Sequence, residues 1–493
     1  MRVILNDDCT WFWDYYAETH PDREPSRELP REYVRQYKGT GMTDYFVNIN
    51  GQYSFTPSEV METSEDSYNR DLLGDLPVNF KDIPRFKACH EHFVRGIDIY
   101  GEMIDECNRI GISPWISIRM NDVHVTRKSS PDGGGLRSLF LHTAHEKGLM
   151  RDSHRDIFGY YDETLDYSKK EVRDLFLGYI REQLLRYDVA GVELDFMREV
   201  YCFRAGYEDE GREIMRSFMR DVRDCCKEAE AKHAHPVKIA VRCLTDPLND
   251  RYSGLYALGL AREGLVDWLI PSPRWETSYD RVPIDMWREL VPESCLVMAS
   301  YEIAHNSSSR IRQRRSDEQL LGMWHKDLAM GADGIYLFNN IYLYVPKGLI
   351  SKEHQELYRL ISSPERVAES KRRCTLSYQD VCAPGGQCLT QLPLKLGTLN
   401  YNYLYFETGP ETKTQYVLFD GANEPSDVEV YANSADVKYV GKTYVEKSYT
   451  ESPVLVYELT VSRPMTQAVE IKPKRADITV TFAEVRNYKP TII

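Results

Sequence analysis

The first residues in this chain whose types and spacing suit chemistry are two carboxylates, Glu193 and Asp195. They lie in the run Gly191-Val-Glu-Leu-Asp-Phe-Met-Arg198. Side chains alternate along a strand, so both acids point to one face while Val192, Leu194 and Phe196 point to the other. The apolar set suits packing on outer helices. The acids are then directed into the interior of a barrel, with Asp195 nearer its carboxyl end. Two carboxylates in such a place are costly unless they are paired or at work. One use is glycoside cleavage, in which one carboxyl protonates the leaving oxygen and another attacks or activates water. The plainer use is a buried ion-pair network with barrel arginines.

Asp195 is the expected nucleophile or cation-stabilising carboxylate. Its partner must come from another strand end, and Glu302, Glu276 and Asp122 are the candidates. Glu302 is preferred because it closes its strand directly. Glu193 sits deeper and is expected to support the catalytic pair. Arg119 and Arg242 stand where a cation would keep Asp195 ionised. Asp7, Asp8, Asn50, Asn121, Arg198, Arg274, Tyr301 and Asn339 also fall at or near carboxyl strand ends, together with Trp275, a flat apolar wall for a sugar ring. Polar and aromatic groups at almost every strand end point to a carbohydrate partner.

The elements that position these residues alternate. Short β-type runs at Arg2–Leu5, Tyr45–Asn50, Ser113–Arg119, Gly191–Phe196, Val237–Arg242, Trp268–Pro271, Leu296–Ser300 and Gly334–Phe338 are separated by helical stretches. The clearest helices are Lys170–Tyr187, Glu210–Ala231 and Asp317–Met330, the last with Ser316 or Asp317 as N-cap and Gly331 as its end signal. Eight strand–helix repeats predict an α/β fold, a (β/α)₈ barrel over 1–370, whose active site is built by the loops after the strands. The loops Gly51–Asp82 and Asn121–Asp152 are long enough to wall a cleft. A linker is expected over 371–396. From 397 to 493 alternating runs such as Tyr401–Phe406, Gln415–Phe419 and Val454–Leu459 predict a C-terminal all-β, sandwich-like domain. A structural role is favoured for it over glycan binding, because no aromatic platform separates from its core tyrosines.

Composition narrows the classes. A net charge of −14 lacks the basic stripe that nucleic acid requires. No run approaches the roughly 20 apolar residues of a membrane helix. The apolar run at Met1–Leu5 is too short for an export signal, and the 11 cysteines show no paired spacing, so a reduced, cytoplasmic protein is expected. Asn6-Asp7-Asp8-Cys9 stands where a dinucleotide site needs glycines, and Gly133-Gly134-Gly135 lacks the Lys-Ser/Thr of a phosphate loop. Cys89-His90-Glu91-His92, His142, His145, His233 and His235 read as surface residues rather than metal ligands. No metal or cofactor is expected, although Asp7, Asp8 and Asp122 supply oxygens of the kind a divalent ion takes. Two alternatives stand beside hydrolysis: a barrel that binds glycan without cleaving it, and a metal-dependent isomerase or lyase.

Leu165-Asp-Tyr-Ser168, Glu171-Val-Arg173-Asp174 and Tyr187-Asp-Val-Ala-Gly191-Val-Glu-Leu-Asp195-Phe-Met-Arg198 together resemble the bacterial glycosyl-hydrolase-like barrels distantly related to family 10 xylanases. In that family a helix entered after residues like DxSxPEVR leads into a G-(I/V)-x-x-D-(F/Y)-x-R strand. Ser363-Pro-Glu-Arg-Val367, followed by a β domain, is also similar. The resemblance covers about residues 100–370 and is strongest over 160–200. It implies glycosidase chemistry, with Asp195 as the catalytic strand-four acid and Arg198 part of the same signature. Glu193 departs from the pattern, which often has a non-acidic residue there, so its role rests on strand geometry alone. Many relatives carry export signals, and this chain shows none.

Overall fold

A computed structural model describes residues 1–8, 11–19, 23–69, 84–122, 138–144, 146–151, 164–273, 277–308, 311–339, 350–377, 390–411, 414–432, 436–460 and 465–493. Eight parallel strands close a barrel: β1 (Arg2–Asp7), β2 (Asp44–Asn48), β3 (Ser113–Arg119), β4 (Gly191–Asp195), β5 (Lys238–Leu244), β6 (Trp268–Ser272), β7 (Leu296–Tyr301) and β8 (Gly334–Phe338). Each pairs with its sequence neighbours, and β1 pairs with β8 to seal the ring. All eight expected strands are present. Closure leaves no sheet edge and commits every strand to two faces, a lumen and an outer surface.

The helices bury an apolar stripe on the outer surface. Helix α1 (Lys170–Arg186) precedes β4 and helix α2 (Glu208–His233) follows it. In α2, Met215, Phe218, Met219, Val222, Cys226 and Ala229 recur at helical spacing and are buried. Acids fill its first turn and Lys232 and His233 its last, in the sense that complements the helix dipole. Helix α3 (Asp317–Ala329) starts on a capping box made by Ser316 and Gln319. Gly331 then takes a left-handed φ of +92°, which ends the turn at no Cβ cost.

Inside the barrel, Ile4, Phe46, Trp115, Ala240, Trp268, Ile270, Met298, Tyr336 and Phe338 form their own cluster. The Trp115 and Trp268 rings lie 4.3 Å apart, and Phe46 stacks on Trp115 at 4.8 Å. Gly191 is required there: a Cβ at that position would come within 2.3 Å of the Trp115 ring and 2.5 Å of the Lys238 carbonyl oxygen. These aromatics plug the amino-terminal half of the lumen. Below them a cleft of about 440 Å³ opens between Arg2, Asp44, Trp115, Lys238 and Trp268. It lies at the end of the barrel that serves stability rather than chemistry.

The C-terminal part holds a five-stranded sheet and a three-stranded sheet, both antiparallel, around one apolar core. Its strands are β9 (Arg373–Thr375), β10 (Leu394–Lys395), β11 (Tyr403–Gly409), β12 (Gln415–Phe419), β13 (Val428–Ala432), β14 (Val437–Thr443), β15 (Val454–Leu459), β16 (Met465–Pro473), β17 (Thr479–Val480) and β18 (Ala483–Arg486). The expected linker, 371–396, is more than a connection. β9 pairs with β18 and β10 with β17, because Cys374 and Leu394 add apolar surface that the same core covers.

Two further expectations change. Cys89 and His92 lie in the helix Pro84–Phe93 and are buried, not on its surface. His92 packs edge-on against Tyr16 and bonds the Ala88 carbonyl, and burial lowers its pKa, while burial pushes Cys89 up to about 12. Neither suits a metal ligand. The Gly133–Gly135 run, the side chain of His142 and His145 lie outside the described residues. No described helix is long and apolar enough to cross a membrane.

Candidate active site

Strand alternation carries Glu193 and Asp195 into the lumen, and β5 presents Arg242 beside them in direct register with Asp195. Arg242 Nη1 donates to Asp195 Oδ2 at 3.1 Å, Nη2 donates to Glu302 Oε1, and Nε donates to Ser272 Oγ at 3.1 Å. Its Cζ sits 3.7 Å from the centre of the Phe338 ring, which holds the guanidinium plane. All three charged groups are at most 2% exposed. Burial works against the Arg242 charge, but Asp195 and Glu302 outweigh it and hold the guanidinium firmly protonated. One cation therefore ties two carboxylates from separate strands at the carboxyl end of the barrel.

Each acid is fixed by its own surroundings. Asp195 Oδ1 accepts from the Met197 backbone N–H at 2.8 Å. Glu302 is held through its backbone, where Ser278 Oγ accepts from its N–H at 3.1 Å and donates to its carbonyl at 2.9 Å. Arg315 Nε donates to the same carbonyl at 3.1 Å. Glu193 lies a layer deeper and is fully buried; its oxygens accept from Asn6 Nδ2 at 2.9 Å and from the Tyr336 hydroxyl at 2.5 Å. Burial, and then the nearby Asp195 charge, push the Glu193 carboxyl above the ordinary range. Glu193 thus favours its proton, whereas Asp195 has a cation in contact.

A second charged group occupies the neighbouring part of the rim. Arg119 donates to Asp8 at 2.8 Å and to Asp122 at 3.3 Å, and Arg198 approaches Asp122 at 3.7 Å. Arg119 stands in register with Asp195 on the neighbouring strand, and its hydrogen bonds go to Asp8 and Asp122. Asn50 brackets the Arg119 backbone, accepting from its N–H at 2.9 Å and donating to its carbonyl at 3.1 Å. Asn121 does the same for Leu165, so both amides serve loop geometry.

Two expected site residues face away from the lumen. Asp7 follows Asn6 by one position and so turns outward, where it accepts from Tyr45 within a cluster that includes Tyr33. Burial pushes its carboxyl up to about 7, against the hydrogen bonds of Tyr45 and Tyr33. Tyr301 likewise turns outward and donates to Asp327 of α3. The period-2 rule excludes both, since Asn6 and Glu302 hold the inward positions beside them. Asn339 follows β8 with a φ of +49°, its N–H on the Asn6 carbonyl at 3.1 Å. Arg274, Trp275 and Glu276 lie outside the described residues. Among the described residues no group of three or more His, Cys, Asp or Glu side chains is arranged to hold a metal ion.

Reading the strands by residue type passes over several participants. Tyr336 and Phe338 look like core residues of Gly334-Ile-Tyr-Leu-Phe338, yet parity with Gly334 places both in the lumen. Asn6 Oδ1, Asn48 Oδ1, Ser300 Oγ and Asn339 Oδ1 are buried acceptors without a hydrogen-bond partner among the described residues. They come from β1, β2, β7 and the end of β8, four strands that stand side by side in the ring. Arg119, Glu193, Asp195 and Arg242 come from the other side, on β3, β4 and β5, and the two arginines reach across to Asp8 after β1 and Glu302 after β7. An unmet buried acceptor costs about 1–3 kcal/mol, so this wall is suited to a ligand or water that donates hydrogen bonds.

No family model matches the chain, and no curated protein does. Solved structures similar to it include alpha-L-fucosidase isoenzyme 2 from Paenibacillus thiaminolyticus, at 16% identity over 75% of this chain and 49% of that one, with a TM-score of 0.44. The chain thus spans about half the length of that protein. The PgaB (BpsB) glycoside hydrolase domain from Bordetella bronchiseptica is similar at 9% identity, over 74% of this chain and 99% of that one, with a TM-score of 0.42. Alpha-L-fucosidase from Vibrio sp. strain EJY3 is similar at 11% identity, over 97% and 72%, with a TM-score of 0.37. The names are those of glycoside hydrolases; the chemistry of this chain is read from its own residues.

Proposed function

We propose that this chain hydrolyses a glycosidic bond, with Asp195 as nucleophile and Glu302 as acid/base. The observation that carries the reading is the pair of lumen carboxylates held by one guanidinium at the carboxyl end of the barrel. Acids joined through adjacent guanidinium nitrogens suit the short separation of about 5–5.5 Å used by retaining enzymes better than the 6.5–9.5 Å of inverting ones. Asp195, held by Arg242, would attack the anomeric carbon and displace the leaving oxygen as Glu302 protonates it. Water, deprotonated by Glu302, would then release the sugar from Asp195. The acceptor wall of Asn6, Asn48, Ser300 and Asn339 would take hydrogen bonds from sugar hydroxyls. Localisation in the cytoplasm belongs to the same reading.

One observation favours a second reading, binding without cleavage. The Arg242–Glu302 contact sets a buried cation on the carboxyl proposed as the acid, which must carry a proton before it can give one up. In the hydrolytic reading, substrate entry leaves Arg242 to Asp195 alone and frees Glu302 to take a proton. Reducing-end release from neutral oligosaccharides and aryl glycosides separates the two readings. Hydrolysis by the wild type, lost in Asp195→Asn, supports the enzyme. Calorimetric binding with no release by the wild type supports the binding barrel. Activity abolished by a chelator would point to a metal-dependent isomerase or lyase.

A further inference from the structure

The C-terminal part carries a feature that its core does not explain. Tyr403 and Tyr405 alternate along β11 and so stand on one face of the three-stranded sheet, and Tyr401, just before the strand, stacks on Tyr403. They are 84%, 36% and 45% exposed, while Leu404 and Phe406 between and beyond them are fully buried in the core. The rings run nearly parallel, with centres 6.2 Å and 5.9 Å apart and planes inclined by only 18° and 29°. The row is stiff. Gln391 clamps the β11 backbone, accepting from the Tyr405 N–H at 2.6 Å and donating to its carbonyl at 2.8 Å. Across the sheet, Tyr403 and Tyr431 flank Glu470 in register, and Lys472 lies 4.7 Å over the Tyr431 ring.

We infer that this tyrosine row is a binding strip for a neutral oligosaccharide chain, separate from the barrel lumen. Area and charge choose the occupant. At about 150–250 Å² per ring, the exposed parts of the three rings amount to roughly 300 Å², well short of the ≈ 800 Å² per partner of a stable protein interface. That is enough for a narrow ligand, and patches of this size on monomers are often functional. On the same sheet face Glu470 and Glu429 are matched by Lys472 and Lys474, so the face is charge-balanced and lacks the basic groove in which a nucleic-acid strand stacks on aromatics. A chain of sugar rings offers apolar faces to the tyrosines and hydroxyls to the phenols, to Glu470 and to Thr466, which lies opposite Glu407. Tyrosine is also a common strand residue, but that preference does not account for three successive solvent-facing positions. The inference does not rest on Asp195.

Native gels cast with hydroxyethylcellulose, xyloglucan, arabinoxylan or galactomannan test it, with the Asp195→Asn chain run alongside so that cleavage plays no part. Retardation by at least one gel is expected, weakened at least ten-fold in Tyr403→Ala/Tyr405→Ala and retained when both become Phe. Tyr401→Ala, at the most exposed ring, serves as the second variant should the double one fail to fold, and is expected to weaken binding at least three-fold with an unchanged melting midpoint. No retardation in any gel, or equal retardation of the alanine variants, overturns the proposal. So does a wild-type dimer in sedimentation that Tyr401→Ala dissociates, which would make the strip a contact between copies of the chain.

Discussion

Two buried ionic networks sit on either side of helix α3, and they differ in how completely they are satisfied. Between barrel and C-terminal sheets, Arg373 bonds Glu446 at 2.6 Å and Glu484 at 2.9 Å, while Glu484 also accepts from Thr375 at 2.7 Å. Gln319 of α3 joins them, donating to Thr375 and Tyr449 at 2.9 Å each. Among the described residues none of these side chains has a buried polar atom left over, although the neighbouring His305, bonded to the Thr375 carbonyl, leaves its Nδ1 unmet. In the lumen, Arg242 also serves two carboxylates, but the facing wall leaves Asn6, Asn48, Ser300 and Asn339 with acceptors unmet among the described residues. A saturated network fixes architecture, because any change leaves a charge stranded. An unsaturated one has hydrogen-bonding capacity to spend on something that comes and goes. The same chemistry of arginine and glutamate is thus put to different ends, and satisfaction rather than charge distinguishes them.

The largest effect expected from this contrast is on turnover. Asp195→Asn should lower glycoside hydrolysis by about 10³-fold or more, with only a small change in melting midpoint because Arg242 keeps Glu302. Steady-state kinetics with a melting curve checks it, and a protein that unfolds while its remaining folded fraction stays active would erase the contrast. Arg373→Met is the mirror experiment. Removing one partner of a buried pair costs about 3–5 kcal/mol, read by urea unfolding, while kcat per folded molecule should hold.

A smaller effect sharpens the boundary of the site. Asp7 favours its proton in the native state, with a carboxyl near 7 against an ordinary 3.8. Its contribution to stability is therefore full below about pH 4 and is lost as the pH rises through about 7. Asp7→Asn should flatten that slope and gain at least about 1.4 kcal/mol at pH 8, the equivalent of one pKa unit. An unchanged slope with a raised KM would return Asp7 to the substrate site. Smallest is Ser316→Ala, which removes a helix cap worth about 1 kcal/mol and should shift the unfolding midpoint without altering kcat.

The barrel was legible because its signal is local. Each strand is a short apolar run and each helix an amphipathic stretch, so residues 191–195 and 317–329 announce themselves without knowledge of the rest. The inward direction of Glu193 and Asp195 followed from alternation alone. Alternation, applied to every strand, would also have turned Asp7 and Tyr301 outward and Tyr336 inward; residue type prevailed over parity there. Arg242 joining Asp195 to Glu302 was out of reach, since contact between residues 60 apart in sequence is set by barrel register. The interface network was hidden for the same reason. The exposure of the tyrosine row depends on which face of β11 the core covers, and alternating tyrosines read alike on either face.

Barrel closure has a consequence for the order of assembly. Arg2 pairs with Gly334, and Glu193 is held by Asn6 from the first strand and Tyr336 from the last. Contacts spanning so much of the chain form late and slow folding, because loop-closure entropy is lost before they reward it. Until β8 docks, Glu193 lacks the Tyr336 hydroxyl that bonds one of its oxygens. The surroundings that make Glu193 favour its proton are therefore complete only once the ring is sealed.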